Sequence, residues 1–477
     1  MNDNIAFDPA CIRRNMDKGE FGLERESLRI DENGYLSHTR HPFGARDDIT
    51  RDFCENQIEL ITDVFDSAQD VLRQMSNLQT EVALTLQQLP TGGEYLWPFS
   101  NPPYVRGQED IVIAQFEGAQ EEKTQYRQYL AAKYGKRKML FSGIHLNYSF
   151  ADEMIRDEYQ LLRSGLQDPD NNTVIQNADA GAANRLRTQW PDYQAYKNSV
   201  YLQLAQKLTV YTWLIVYLTA ASPVLDVSFL DNAEEGKSSV HGEWTVEDLT
   251  RYASVRCGER GYWNDFTPVF DYQNLDSYIQ SIEAYIKDGR LKGVSELYYP
   301  LRLKPRGENS LEHLREQGVN HIELRMLDVN PLSPVGLFQE DVEFLHYLMV
   351  YLHHQGDVQL TTEEQRNAIW NEKQAAGFDD SKIRIREYGG VERPIREAAQ
   401  GVLKQMEAFF SELEADTAVR SIRYQKDKLS IPHNRYADRI RATYESDYVK
   451  SGVDLAKEYA ELARQCSGLH ASQGQIS

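Results

Sequence analysis

The chain is short of cysteine, of positive charge and of long apolar runs. Its four cysteines, Cys11, Cys54, Cys257 and Cys466, are scattered through 477 residues without a Cys-x-x-Cys spacing. That argues against a zinc ribbon and a disulfide scaffold, and fits a reducing compartment. Lys plus Arg number 52 against 73 Asp plus Glu, a formal net charge of −21. Such a surface repels nucleic acid and anionic membranes, so neither is expected as a partner. An anionic substrate remains admissible if its pocket carries its own arginine, lysine or metal. The longest apolar run, residues 208–221, is interrupted by Thr209, Thr212 and Thr219 and falls short of the roughly 20 residues of a membrane span. It reads as a buried helix ending before Pro223. The opening MNDNIAFDPA has neither the basic nor the apolar segment of a secretory signal, and a cytoplasmic location is expected. Neither GxGxxG nor a GxxxxGK motif occurs, so no Gly-rich loop cradling phosphates at a helix N-terminus is expected.

What the chain does have is aromatic and apolar weight. A hydrophobic content of 41% with 28 Tyr and 17 Phe describes a globular protein. No internal repeat, low-complexity tract or break in composition divides it, and one large α+β domain over residues 1–477 is the economical reading. Apolar residues at helical spacing predict helices over 68–89, 124–133, 152–166 and 195–221, with a short lead-in helix before residue 20. From about residue 338 the chain reads as mostly helical, including 338–353, 396–415 and 438–466. Strands are expected at 21–31, 55–64, 139–150, 293–306 and 320–330. Residues 231–247 are rich in Gly, Ser and Glu and read as a candidate lid.

The strands carry the chemistry. Glu24 and Glu26 sit at i and i+2, so an extended chain turns both carboxylates to one side. Their repulsion calls for a cation, and a hard, oxygen-seeking ion such as Mg²⁺ suits them. In the strand beginning at Met139, His145, Asn147 and Ser149 share one face, together with Phe141, while Ile144, Leu146, Tyr148 and Phe150 share the other. His321, Glu323 and Arg325 alternate in the same way with Ile322, Leu324 and Met326. Strand parity puts Glu55 on the face of Glu59 and leaves Asp52 off it; a bulge or turn near Phe53 would reverse that. Polar faces of ordinary half-exposed sheets are rich in Thr, Ser and Lys, whereas these carry Glu, His, Asn and Arg, which bind metals and anions. Cys54 reads as a small buried hydrophobe, and the pair Gly389-Gly390 as a turn.

The segments GLERESLRI (22–30), ITRDFCENQIELIT (49–62), WPFSNPPY (97–104), KTQYRQYLAAKYG (123–135), FSGIHLNYSF (141–150), AASPVLDVSFL (220–230), SELYYPLRLKPR (295–306) and HIELRMLDVNPLSPVG (321–336) resemble the bacterial glutamate–cysteine ligase family, also called γ-glutamylcysteine synthetase. The likeness runs in one order from about residue 20 to about 370. It implies a glutamine synthetase-like α+β fold: a curved, largely antiparallel sheet forming an active-site funnel, backed by helices. It implies ATP-dependent joining of the L-glutamate γ-carboxylate to the L-cysteine amine, with ATP as co-substrate and two or three Mg²⁺ ions, for which Mn²⁺ could substitute. By position in the motifs, Glu24, Glu26, Asp52, Glu59, His145 and Glu323 would form the metal-binding set. Arg127 and Arg325 would meet the transferred phosphate, and Arg256 would grip the glutamate α-carboxylate. Phe53, Tyr126, Phe141 and Tyr262 would build the cysteine pocket, and Tyr298, with Lys304, falls in a motif that lines the family's site. A ligase without an attached glutathione synthetase module is expected. The sequence sets no oligomeric state, and a monomer is compatible with it. Two other readings stand beside this one: a carboxylate–amine ligase with a different amine, and a non-catalytic metal-binding relative.

Overall fold

The computed structural model describes residues 9–165, 190–230 and 245–473. Most of the expected lid, 231–244, therefore lies outside the described residues. The centre is an antiparallel sheet of seven strands: β1 (Gly19–Ile30), β2 (Ile49–Arg51), β3 (Gln57–Ile61), β4 (Tyr95–Leu96), β5 (Gly143–Phe150), β6 (Leu301–Lys304) and β7 (His321–Asp328). Their order is β2-β3-β1-β5-β7-β6, with β4 added to β1. This is the mixed, largely antiparallel α+β architecture expected from the sequence.

Period-two alternation gives the sheet one apolar face. Leu23, Ile144, Leu146, Tyr148, Ile322, Leu324, Leu301 and Leu303 are buried in one extended hydrophobic cluster. The helix Tyr193–Thr219 supplies much of the other wall, its N-terminus capped by Asp192, which accepts from the Ala195 amide. Thr209, Thr212 and Thr219 inside it are buried, and the hydroxyls of Thr209 and Thr219 donate to the carbonyls of Ala205 and Ile215 one turn back. A helix apolar nearly all round is expected in a core, and no described helix is long and apolar enough to cross a membrane. Helices Ala68–Gln87 and Gln339–His353 complete the layer, the first started by Ser67 accepting from the Asp70 amide.

Two strand expectations need correction. The strand expected from Met139 begins only at Gly143, because Arg137–Leu140 form a 3₁₀ turn. The parity that set Phe141 beside His145 therefore does not extend back to it. Of the strand expected over 293–306, only Leu301–Lys304 pair, and Val294–Glu296 form another 3₁₀ turn. The C-terminal part, expected to be mostly helical, also holds a small hairpin, Arg384–Arg386 with Glu392–Pro394. Its turn contains Gly389 and Gly390, both at φ +89°, a backbone region that side chains disfavour.

Candidate active site

The register lines up the polar face residue by residue. Glu59 of β3 lies opposite Glu26 of β1, and Glu24 of β1 opposite His145 of β5. Asn147 of β5 then faces Glu323 of β7, and Glu323 faces Arg302 of β6. Directly paired residues of antiparallel strands point to the same side, so these groups, with Arg325 and Lys304 two positions along, share one surface. All of them except Asn147 line a cleft with a cavity of ≈ 400 Å³. Asp52, Arg127, Arg256, Phe53, Tyr126, Tyr262 and Tyr298 line it as well.

Asp52 reaches the cleft because residues 52–56 are not strand. β2 ends at Arg51 and β3 begins at Gln57, so parity does not carry across the turn between them. Glu55 points elsewhere, accepting from the amides of His41 and Gln115 and pairing with Arg51 at 3.0 Å. Arg127, on the helix Glu121–Tyr134, clamps this turn. Its Nε donates to the Asp52 carbonyl and its Nη2 to the Arg51 carbonyl, and the guanidinium lies 4.7 Å from the Phe116 ring centroid.

Two electrostatic regions divide the cleft. In the first, Glu26, Glu59 and Asp52 converge. Burial, then repulsion from Asp52, pushes the Glu26 carboxyl up from its ordinary 4.5 to about 8. Burial and the charges of Asp52, Glu24 and Glu26 push Glu59 well above its ordinary value. In the second, burial pushes Glu323 up too, but Arg325, Lys304, Arg302 and His145 outweigh it and hold it well below the usual range. Burial raises Glu24 as well, but the His145 bond at 3.1 Å, with the charges of His145 and Lys304, outweighs it and leaves Glu24 lowered. One donor atom each of Glu24, His145 and Glu323 lies within 4.8 Å of the others, and the second carboxylate oxygen of Glu323 is buried without a hydrogen-bond partner.

Both regions therefore fit cations: the first because its carboxylates are mutually repelled, the second because of an orphaned oxygen and a mixed nitrogen and oxygen donor set. The pH consequence has a definite sign. Between about 4.5 and 8 the folded state holds a proton on Glu26 that the unfolded chain has released. Stability of the metal-free protein is thus lost as pH rises through that window. Mg²⁺ should relieve the repulsion, so its increment in Tm should be larger at about pH 8 than at about pH 6. Thermal scans with and without Mg²⁺ check this; an equal increment at both would remove Glu26 from the cation site.

Arg256 lies beneath β5. Its Nη1 donates to the carbonyls of Arg325 and Leu327 at 2.6 and 3.3 Å, and its Nη2 lies 3.4 Å from His145 Nε2. A Cβ on Gly143 would stand 2.2 Å from its guanidinium carbon, which accounts for the glycine in FSGIH. The segment that carries Arg256 is pinned by Asp328, which accepts from the hydroxyls of Ser222 and Ser254 and from the Ala221 amide.

The aromatic end of the cleft brings Phe53, Tyr126, Tyr262 and Tyr298 together. Tyr262 and Tyr298 meet edge to face at 5.2 Å, and the Tyr126 hydroxyl is buried without a partner. Phe141 is not brought to the cavity; it is fully buried and packs on Phe229 at 5.3 Å. Cys54 is buried too, its thiol pushed up by desolvation. Sequence reasoning missed Arg302 and Glu372, which also line the cavity. Arg302 had a signal, since it alternates with Lys304 in LRLK. Glu372 had none: a buried helix carboxyl, raised by desolvation from 4.5 to about 8, it reaches the cleft through tertiary packing alone.

An antiparallel sheet with one face of carboxylates, imidazole and guanidinium, with tyrosines at one end, makes a cleft whose lining fits cations and small anions. The sequence matches the family model described as Glutamate-cysteine ligase over residues 9–292 and 288–375. It is 30% identical over 497 residues to a Glutamate--cysteine ligase of Clostridium acetobutylicum, covering 94% of this chain and 96% of that protein. It is 32% identical over 454 residues to the Glutathione biosynthesis bifunctional protein GshAB of Clostridium perfringens, covering 93% of this chain and 54% of the relative. The chain thus spans about half the length of the bifunctional relatives it matches. In fold it is similar to a bifunctional glutathione synthetase from Pasteurella multocida, with a TM-score of 0.75 at 24% identity over 95% of this chain and 54% of the other. It is likewise similar to Glutamate--Cysteine Ligase from Francisella tularensis, solved in complex with AMP, with a TM-score of 0.74 at 22% identity over 94% and 89%. The chain belongs to the glutamate–cysteine ligase family.

Proposed function

We propose that this chain joins the γ-carboxylate of L-glutamate to the amine of L-cysteine at the expense of ATP. The products are γ-glutamylcysteine, ADP and phosphate, the first step of glutathione biosynthesis, carried out by residues 1–477 as one catalytic domain. The observation that carries the reading is the single polar sheet face on which Glu59, Glu26, Glu24, His145 and Glu323 follow one another from strand to strand. Two or three Mg²⁺ ions, held by Glu26, Asp52 and Glu59 and by Glu24, His145 and Glu323, would supply charge neutralisation for phosphoryl transfer.

The chain's own groups position and stabilise. Arg325 and Arg127 are assigned to the transferred phosphoryl group, with Arg302 and Lys304 adding positive charge beside Glu323. Arg256, whose buried Nε lacks a partner, is assigned to the glutamate α-carboxylate. Phe53, Tyr126, Tyr262 and Tyr298 are assigned to the cysteine side, where the Tyr126 hydroxyl is open to a polar group. A γ-carboxylate oxygen attacks the γ-phosphorus of ATP and the bond to ADP breaks, leaving γ-glutamyl phosphate. The amine then attacks the acyl carbon, the C–O bond breaks, phosphate leaves and the amine gives up its proton. Orientation and charge stabilisation supply most of the rate, and no protein nucleophile is required.

The test is product analysis. Protein with ATP, Mg²⁺ and glutamate should release phosphate when cysteine is added, and mass spectrometry should find γ-glutamylcysteine. Phosphate release with another amine but little with cysteine would favour a different carboxylate–amine ligase; none with any amine would favour a non-catalytic relative. Gly143→Ala tests the glutamate assignment: its Cβ displaces the Arg256 guanidinium, so kcat/KM for glutamate should fall about 100-fold with little change in KM for ATP. An unchanged value would detach Arg256 from glutamate binding.

A further inference from the structure

We propose that Glu158, His353 and His354 form a second metal centre that takes one divalent cation of the zinc class. The cluster is distinct from the cleft and lies on the helical side of the sheet. His353 ends the helix Gln339–His353, and its ring packs at 5.1 Å on Phe150, a residue of the apolar face. Glu158 belongs to the helix Asp152–Gly165, so the centre joins two helices.

Three features point to a metal. One donor atom from each residue lies within 4.8 Å of the other two. Glu158 oxygens sit 2.9 Å from His353 Nε2 and 3.8 Å from His354 Nε2, bracketing the roughly 3.3 Å between ligands that share a tetrahedral ion. The three side chains are 2%, 7% and 3% exposed, and Phe409 lies 6.1 Å from the His354 ring, so the donors are largely withdrawn from solvent beside aromatic rings. His354 Nδ1 lies 2.7 Å from the Val350 carbonyl. The tautomer selected by that bond turns an unprotonated Nε2 towards Glu158, the arrangement in which a metal-bound histidine is held from behind by a carbonyl. Tyr196 similarly supports the carboxylate, its hydroxyl donating to Glu158 at 3.3 Å.

A plain helix-to-helix hydrogen bond accounts for His353 and Glu158. His354 turns a second imidazole to the same carboxylate at 3.8 Å. The donor set of two imidazoles and one carboxylate suits Zn²⁺ or Co²⁺ over Mg²⁺, in contrast to the carboxylate-rich cleft. Lys207, on the neighbouring helix, directs its ammonium to the Gln355 carbonyl at 2.8 Å and lies 3.5 Å from Asp357.

Co²⁺ is the probe. The full chain, stripped by a chelator and kept in excess Mg²⁺ to fill the cleft, should take up one equivalent of Co²⁺ with a visible d–d absorption. The band should survive His145→Gln, which removes the imidazole of the cleft, and be lost in His354→Gln. No cobalt band in the wild-type protein would overturn the proposal, as would a band that disappears with His145→Gln or one that persists in His354→Gln. Because the wild-type and His145→Gln titrations stand alone, a His354→Gln variant that fails to fold leaves the proposal open to refutation.

Discussion

Glu59→Gln is expected to make the metal-free protein more stable while nearly abolishing its activity. Glu59 sits opposite Glu26, and burial together with three neighbouring carboxylates holds its proton well above the ordinary range. Glutamine has the shape of the protonated acid and no charge to repel, so Tm without metal should rise by about 2 °C near pH 8. Without a carboxylate the proposed cation site loses a ligand. The Mg²⁺-dependent increment in Tm should shrink, and kcat should drop about 10³-fold. This opposition of signs separates a functional carboxylate from a structural one, because strained sites are retained for activity at a cost in stability. A variant that is both less stable and fully active would place Glu59 outside the machinery.

Glu323→Gln should fail in the opposite direction. Glu323 is buried among Arg325, Arg302 and Lys304, at 3.0, 3.9 and 3.7 Å. Removing its charge leaves those cations uncompensated, which costs about 3 kcal/mol when groups are this deeply buried. Activity should again fall about 10³-fold. Circular dichroism and thermal scans read the first effect and steady-state kinetics the second. Wild-type kcat would remove Glu323 from the site, and unchanged stability would show that the surrounding cations are neutralised by other groups. The two glutamates lie on one polar face with β1 and β5 between their strands, yet opposite surroundings give their isosteric replacements opposite effects on stability.

How much of this the sequence disclosed depends on how local each signal was. His145 and Glu323 were legible because each sits in a strand whose alternation is clean on both sides. Glu24 and Glu26 were legible for the same reason. Asp52 was not settled by parity, since its position depends on a turn stabilised from outside, by Arg127 reaching across 75 residues to the Asp52 carbonyl. Phe141 fell the other way: the alternation was read two residues past the true strand start, into a 3₁₀ turn. The hairpin at 384–394 is too short to alternate visibly, and only its Gly389-Gly390 turn could be read. Glu372 and the Glu158, His353 and His354 cluster arise from helices packing together, and no periodicity within a helix reports which partner its side chain will meet.

The most direct measurement of the central claim follows the oxygen atoms. Glutamate carrying a heavy oxygen isotope in both γ-carboxylate positions is turned over with ATP, Mg²⁺ and cysteine, and the released phosphate is analysed by mass. If a γ-carboxylate oxygen attacks ATP in this cleft, each phosphate carries one heavy oxygen and the amide of γ-glutamylcysteine keeps the other. Unlabelled phosphate would contradict the account.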